Sequence, residues 1–412
     1  MNDHFDRRET RDPGQREREQ LAALPELVAH AQRHTEHYAV LLAGVDARAV
    51  TDRAALARLP ITRKSELHAR QRAAAPFGGL VATAPGALAK IFMSPGPIYD
   101  PEGRGRDYWR TARSLYAAGF RAGDIVQNCF SYHFTPAGSM YERGLEELGC
   151  AVVPTGVGQT EMQAAAMTDL GVAGYVGTPS FLKLILEKAD ELAHDTRALR
   201  KAAVSGEAFP AVLRDALRAR GIEAYQAYAT ADLGSIAYET PARAGLVVDE
   251  DVIVEIVRPG TGDPVVDGEV GEVVVTAFNF AYPLIRFATG DLSAVLAGPS
   301  PCGRTNQRIK GWMGRADQTT KVRGMFVHPH QIAEVVRRFD VVERARVVVD
   351  NPGGNDRMRL LCAVADGGSD ALRGAIERAV REVTQLRADV EFVATHTLPN
   401  DGKVIEDARE LG

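Results

Sequence analysis

Along residues 106–230 the apolar positions switch repeatedly between a helical period and short continuous runs. Arg106–Phe120 carries Trp109, Ala112, Leu115 and Tyr116 at three-to-four spacing, which predicts a helix, and passes through Arg-Ala-Gly-Asp into the apolar run Ile125–Phe130. The same alternation continues with helices expected over Ala137–Leu148, Glu161–Leu170, Phe181–Ala193 and Pro210–Arg220. Strands are expected over Cys150–Pro154, Val172–Gly177, Ala202–Ser205 and Ala224–Ala229. Strand–helix alternation with short loops is the pattern of an α/β sheet with helices on its faces, and such sheets place function at the loops beyond the strand ends. After Asp232 the pattern becomes extended runs (Val252–Val257, Glu272–Phe278, Asp291–Leu296) separated by turn residues, a local β meander. A third pattern follows Arg315. Helices are expected over Pro329–Phe339 and Ala371–Leu386, and strands over Ala345–Val349, Leu360–Val364 and Val390–Val393.

The reading is therefore α/β: a large N-terminal α/β domain over 21–316 with a β-rich subdomain, and a small mobile C-terminal α+β domain over 317–412. Residues 1–20 are rich in charge and poor in apolar residues, and read as a disordered lead-in without a secretory h-region. The 412 residues exceed what one core usually supports, which agrees with two domains. A net charge of −5 with scattered basic residues argues against nucleic acid or an anionic membrane as partner, and no apolar run reaches the length of a membrane span. Cys129, Cys150, Cys302 and Cys362 lie far apart, so a cytoplasmic chain with reduced thiols is expected.

Four short segments could carry chemistry. Tyr228-Ala-Thr-Ala-Asp232 sets an aromatic face and Thr230 beside a carboxylate at a strand end. Arg286-Phe-Ala-Thr-Gly-Asp291 puts a carboxylate on a glycine turn; Gly314-Arg315-Ala-Asp317 offers an arginine before a change in texture; Leu398-Pro-Asn-Asp-Gly-Lys403 presents a lysine on a turn. Each alone has an ordinary structural explanation as a buried tyrosine, a turn aspartate or a solvated loop. In this order and spacing, however, they resemble the adenylate-forming superfamily, and more closely its phenylacetate–CoA ligase branch. Leu59-Pro-Ile-Thr-Arg-Lys64, Ala118-Ala-Gly-Phe-Arg-Ala-Gly-Asp124, Gly158-Gln-Thr-Glu161, Thr178-Pro-Ser180, Ser205-Gly-Glu-Ala-Phe209 and Lys321-Val-Arg-Gly324 are similar to that branch in the same order.

The resemblance implies an ATP-dependent ligase that activates a small, aromatic carboxylic acid as its acyl-adenylate and passes it to CoA or a carrier-protein thiol, a homodimer being open. It implies that Tyr228 stacks on adenine, Asp291 holds the ribose hydroxyls and Arg315 reaches the ribose–phosphate side. Ser94, Gly96, Glu207 and Thr230 would complete the nucleotide site. Asp317 would be the hinge, and Lys403 would bridge the carboxylate and the α-phosphate, where cationic stabilisation dominates such transfers. Lys321, Arg323 and Gly324 would line the CoA path. The acid pocket would be formed by Phe130, Tyr132, His133, Phe134 and Gly138 with Ser205, Gly206 and Ala208.

The departures are concentrated in one segment. Where the family has Ser-Ser-Gly-Thr-Thr-Gly-Lys-Pro, this chain has Ser94-Pro-Gly-Pro-Ile-Tyr-Asp-Pro101. Pro95 and Pro97 have no N–H to offer a phosphate, the lysine is absent, and Asp100 brings a negative charge towards the pyrophosphate. Asp232 replaces a glutamate as the expected Mg²⁺ ligand. Thr240 and Ser300 stand where relatives carry zinc-binding cysteines, so no zinc is expected. An acyltransferase using a preformed thioester or adenylate, and a non-catalytic nucleotide-binding protein, are the competing readings.

Overall fold

The computed structural model describes residues 3–94, 97–207, 209–323, 325–350, 356–365, 367–394, 396–398 and 403–409. The chain divides into two compact units, one of residues 1–289 with 293–312, the other of 290–292 with 313–412.

The first unit is built on a nine-stranded sheet. Five parallel strands lie side by side in the order Ala151–Val153, Ile125–Asn128, Gly174–Gly177, Lys201–Val204 and Glu223–Thr230. The helices Ala137–Glu147, Thr160–Asp169, Pro179–Glu191 and Ala211–Ala219 connect them, as the alternating pattern predicts. The helix expected over Arg106–Phe120 is confined to Thr111–Ala117, because Arg110 immediately before it takes a left-handed conformation (φ 62°). Antiparallel strands then extend the sheet, beginning with Gly234–Glu239, whose six residues are all buried and so show no alternation to read. A second, four-stranded sheet joins Thr62–Arg63, Leu284–Ser293, Gly271–Ala277 and Val252–Val257. The segment with the divergent phosphate-loop sequence is a hairpin of Lys90–Ser94 against Ile98–Glu102, in which Ser94 faces Ile98 and Phe92 faces Asp100.

The charged lead-in is not disordered over its described residues. Arg7–Thr10 forms a 3₁₀ turn, and Pro13–His34 is a 22-residue helix capped by Asp12. Its charges meet opposite charges from far along the chain. Glu9 is buried, and its carboxylate accepts from Tyr238 Oη (2.6 Å), Arg304 Nε (2.7 Å) and the Phe5 N–H (2.6 Å). Arg16 pairs with Glu250 at 2.9 Å. A buried charge is tolerable when paired and hydrogen-bonded in this way.

The second unit is a four-stranded sheet in the order Asp389–Val393, Arg357–Ala363, Arg344–Asp350, Ile405–Asp407, with the helices Pro329–Val336 and Asp370–Thr384 packed on it. Its core includes Val347, Val349, Leu360, Ile376 and Val380. Its continuous part begins at Met313, just before the boundary expected at Asp317. Among the described residues no helix is long and apolar enough to cross a membrane.

Candidate functional site

The strand Glu223–Thr230 ends in a β-bulge between Tyr228 and Ala229, which re-aims the side chains at the strand end. The Tyr228 hydroxyl donates to Thr289 Oγ1 at 3.2 Å. Thr230 Oγ1 accepts the Leu233 N–H at 3.2 Å and so closes the turn that carries Asp232. Gly234, at φ +74°, ends that turn; a Cβ there would lie 2.6 Å from the Trp109 carbonyl oxygen, so only glycine lets the backbone pass.

Asp232 is buried, and its Oδ2 accepts from Lys64 Nζ at 2.5 Å. Lys64 arrives there because Thr62–Arg63 runs parallel to Leu284–Ser293, with Arg63 opposite Ala288, one residue before Thr289. Asp100 stands close behind. It is fully buried, with Ser94 of the same hairpin as its hydrogen-bonding neighbour. Burial first and the Asp232 carboxylate second push it up to about 7, while Ser94 and then Lys64 pull the other way. The expectation that Asp100 would point at a pyrophosphate is thus corrected, since the hairpin turns it inward. The Mg²⁺ role expected for Asp232 does not fit either. Its side chain is wholly enclosed and already carries a lysine ammonium, a poor donor set for a hard divalent cation that keeps its waters. Ser94 is buried within the hairpin, its hydroxyl towards the Ile98 carbonyl oxygen, and Gly96 lies outside the described residues.

The hairpin is fixed to the start of the helix Ala137–Glu147. Glu102 accepts from Trp109 Nε1 (2.8 Å) and Ser139 Oγ (2.6 Å), and Met93 N–H donates to the Phe134 carbonyl oxygen (2.8 Å). This brings it beside the expected acid pocket. There Asn128 Nδ2, a residue the motifs do not single out, donates to both Tyr132 Oη and the Gly138 carbonyl oxygen at 2.8 Å. A Cβ on Gly138 would sit 2.9 Å from the Tyr132 ring. Phe130 stacks on Tyr141 with centroids 4.7 Å apart, and a Cβ on Gly206 would reach Phe130 and Thr178 at ordinary van der Waals distance. Ser205 Oγ is taken by the Ala227 carbonyl oxygen, and the Glu207 carboxylate accepts the Ser180 N–H at the start of the helix Pro179–Glu191. Phe130 is thus core-like, His133 and Phe134 face solvent, and Ala208 lies outside the described residues.

In the second unit Arg315 Nη1 donates to Asp291 Oδ1 at 3.2 Å, and Leu292 N–H donates to the Gly314 carbonyl oxygen. The Thr-Gly-Asp and Gly-Arg segments are laced together, and a Cβ on Gly290 would strike the Arg315 guanidinium at 2.6 Å. Asp317 lies in the 3₁₀ turn Ala316–Gln318. Gln318 Oε1 accepts the Val404 N–H at 2.8 Å, and Arg346 Nε donates to the Lys403 carbonyl oxygen at 3.2 Å. Lys403 itself is exposed. Lys321 is in the strand Thr320–Val322; Arg323, at φ +48°, bonds through its N–H to Asp356; Gly324 lies outside the described residues. Thr240, Ser300 and Cys302 do come together, Ser300 Oγ and Cys302 Sγ lying 3.1 Å apart. Among the described residues no group of three or more His, Cys, Asp or Glu is placed to hold a metal.

Motif residues at a strand end of an α/β sheet, with a separate small unit carrying Lys403, fit the class of AMP-binding enzymes, and the model of that family matches residues 109–281. The chain is 33% identical over 334 residues to the phenylacetate–coenzyme A ligase of Aromatoleum evansii, covering 77% of this chain and 74% of that one. It is 30% identical over 374 residues to the enzyme of the same name from Thermus thermophilus, covering 85% and 82%. The chain belongs to the phenylacetate–CoA ligase family. Among solved structures, an open conformation of 2-hydroxyisobutyryl-CoA ligase with 2-HIB-AMP and CoA has a TM-score of 0.85 at 25% identity, covering 97% of this chain and 93% of that one.

Proposed function

We propose that this chain is an AMP-forming acid–thiol ligase that activates a small aromatic carboxylic acid and transfers the acyl group to CoA. The carboxylate attacks the α-phosphorus of ATP, pyrophosphate leaves, and the thiol then displaces AMP. The choice of acid is supported by the aromatic cluster at the end of the strand Ile125–Asn128, where the buried Phe130 ring stacks on Tyr141 and comes within van der Waals reach of Gly206. Its two relatives named above are phenylacetate–CoA ligases, which supports the same class of acid. Tyr228 seats adenine, Asp291 and Arg315 serve the ribose and its phosphate, and Lys403 supplies positive charge to the carboxylate and α-phosphate. The Mg²⁺ that accompanies ATP enters on the nucleotide, not on Asp232. The acyltransferase reading is not favoured, since Lys403, the residue given to adenylation, is kept and its backbone is tied into the small unit.

The test is pyrophosphate release with ATP and CoA against a panel of benzoic, phenylacetic and short aliphatic acids, with thioester formation followed in parallel. Aromatic acids are expected to release pyrophosphate and form thioester. Turnover confined to aliphatic acids would overturn the aromatic assignment, and acyl transfer without pyrophosphate would overturn the ligase itself.

A further inference from the structure

The turn that carries Asp232 is gripped by a side chain that the motif series passes over. Arg110 Nη2 donates to the Leu233 carbonyl oxygen and, at 3.3 Å, to the Ser235 carbonyl oxygen, so one guanidinium nitrogen bridges the two residues that flank Gly234. The neighbouring backbone is laced to the same place, since the Trp109 carbonyl oxygen accepts the Ser235 N–H at 2.9 Å. Behind the guanidinium lies the buried carboxylate of Asp249, with Arg110 Nε 3.6 Å from one oxygen and Arg113 Nε 3.5 Å from the other. Arg113 is anchored in turn by Asp6 of the N-terminal segment through two bonds of 3.0 Å.

The backbone shows what this grip has to overcome. Arg110 sits at φ 62° and Asp107, three residues earlier, at φ 42°, left-handed conformations that residues with a Cβ seldom adopt. Such conformations persist where the surrounding contacts over-determine them. Here Asp107 accepts the Thr111 N–H (2.8 Å) and the Ala112 N–H (3.0 Å), while the Arg110 side chain holds the turn. Glycine would meet the backbone requirement at position 110 with less strain, but it has no guanidinium to offer. Leu233 is also the residue whose N–H closes the turn on Thr230, so a shift of its carbonyl passes back to Thr230 and to the bulge at Tyr228. We infer that Arg110 is a positioning residue of the nucleotide site: its guanidinium clamps the Leu233 and Ser235 carbonyls and so fixes the strand end on which Tyr228 receives adenine. This rests on the reading that Tyr228 seats adenine.

The competing explanation is that Arg110 only neutralises Asp249. Calorimetric titration with AMP separates the two, using the wild type, Arg110→Gly, Arg110→Lys, the double variant Arg110→Gly/Asp249→Asn and Tyr228→Ala, each held below its melting temperature. Glycine suits the left-handed backbone, and the double variant leaves no lone carboxylate at position 249, so it carries the comparison even where Arg110→Gly folds poorly. We expect AMP affinity to fall roughly tenfold to a hundredfold in Arg110→Gly and in the double variant, the scale of a small misplacement at a binding site. Arg110→Lys, whose ammonium has donors for both carbonyls, keeps most of the affinity. In pyrophosphate release the KM for ATP rises by a similar factor in Arg110→Gly, while that for the acid stays at the wild-type value. Wild-type AMP affinity in the double variant would reduce Arg110 to a counter-ion. A lysine variant as weak as the glycine one, or equal rises in both KM values, would trace the effect to lost packing and overturn the clamp. Unchanged AMP affinity in Tyr228→Ala would instead defeat the adenine reading on which the clamp rests.

Discussion

Asp100 and Asp232 enclose two carboxylates with one ammonium, an arrangement whose charge balance depends on pH. Burial raises Asp100 from 3.8 to about 7, so the folded chain holds a proton that the unfolded chain releases above its ordinary value. Proton uptake on folding makes stability fall as pH rises between those two values. Asp100→Asn removes this dependence. It should raise the melting temperature clearly at pH 8 and little at pH 4, with thermal unfolding at the two pH values as the check. An equal effect at both would show that Asp100 is ionised in the folded chain. At the other candidate residue, Lys403→Ala should slow acyl-adenylate formation by roughly 10²–10³, since a transition-state donor is lost. Thioester formation from a supplied acyl-adenylate should persist, and rapid-quench measurement of each half-reaction distinguishes the two. Equal losses in both would place Lys403 outside the adenylation step.

Among the elements, the parallel strands were readable as short apolar runs, buried on both faces, set between helices whose one buried face imprints a period on the sequence. The strand Gly234–Glu239 was not, since its run of glycine, serine and a terminal acid lacks an apolar signature, and that acid is satisfied by Arg214 on another element. The N-terminal segment misled for the opposite reason. Its charges look like a solvated tail until Arg304, Glu250 and Asp251, more than 230 residues away, are seen to neutralise them. Glu9→Gln would leave Arg304 buried without its anion, and breaking a pair of this kind costs about 3–5 kcal/mol. Chemical denaturation should show that loss, while a change under about 0.5 kcal/mol, the usual range for surface sites, would mean the segment contributes nothing to the fold. The motif residues were singled out by their order together with the resemblance to a known family. Lys64, Asn128 and the inward turn of Asp100 were not, because each depends on a register between strands far apart in sequence.

For the molecule as a whole, the proposed reaction needs two arrangements of its units, one for each half-reaction. Asp317→Pro fixes φ within the 3₁₀ turn Ala316–Gln318. One half-reaction should survive and the other fail in single-turnover assays; undiminished overall turnover would move the pivot elsewhere. The bonds around Lys403 add a mechanical constraint. Its carbonyl is held by Arg346, and the next residue is bonded through its N–H to Gln318 and through its carbonyl to the Val347 N–H. The backbone at Lys403 and Val404 is thereby held both to a central strand of the small sheet and to Gln318. With the pivot proposed at residue 317, the base of the Lys403 side chain would travel with the small sheet to which its backbone is bonded. On that proposal, commitment to adenylation or to thiol transfer would follow the rotation of the small sheet, with Lys403 as its passenger.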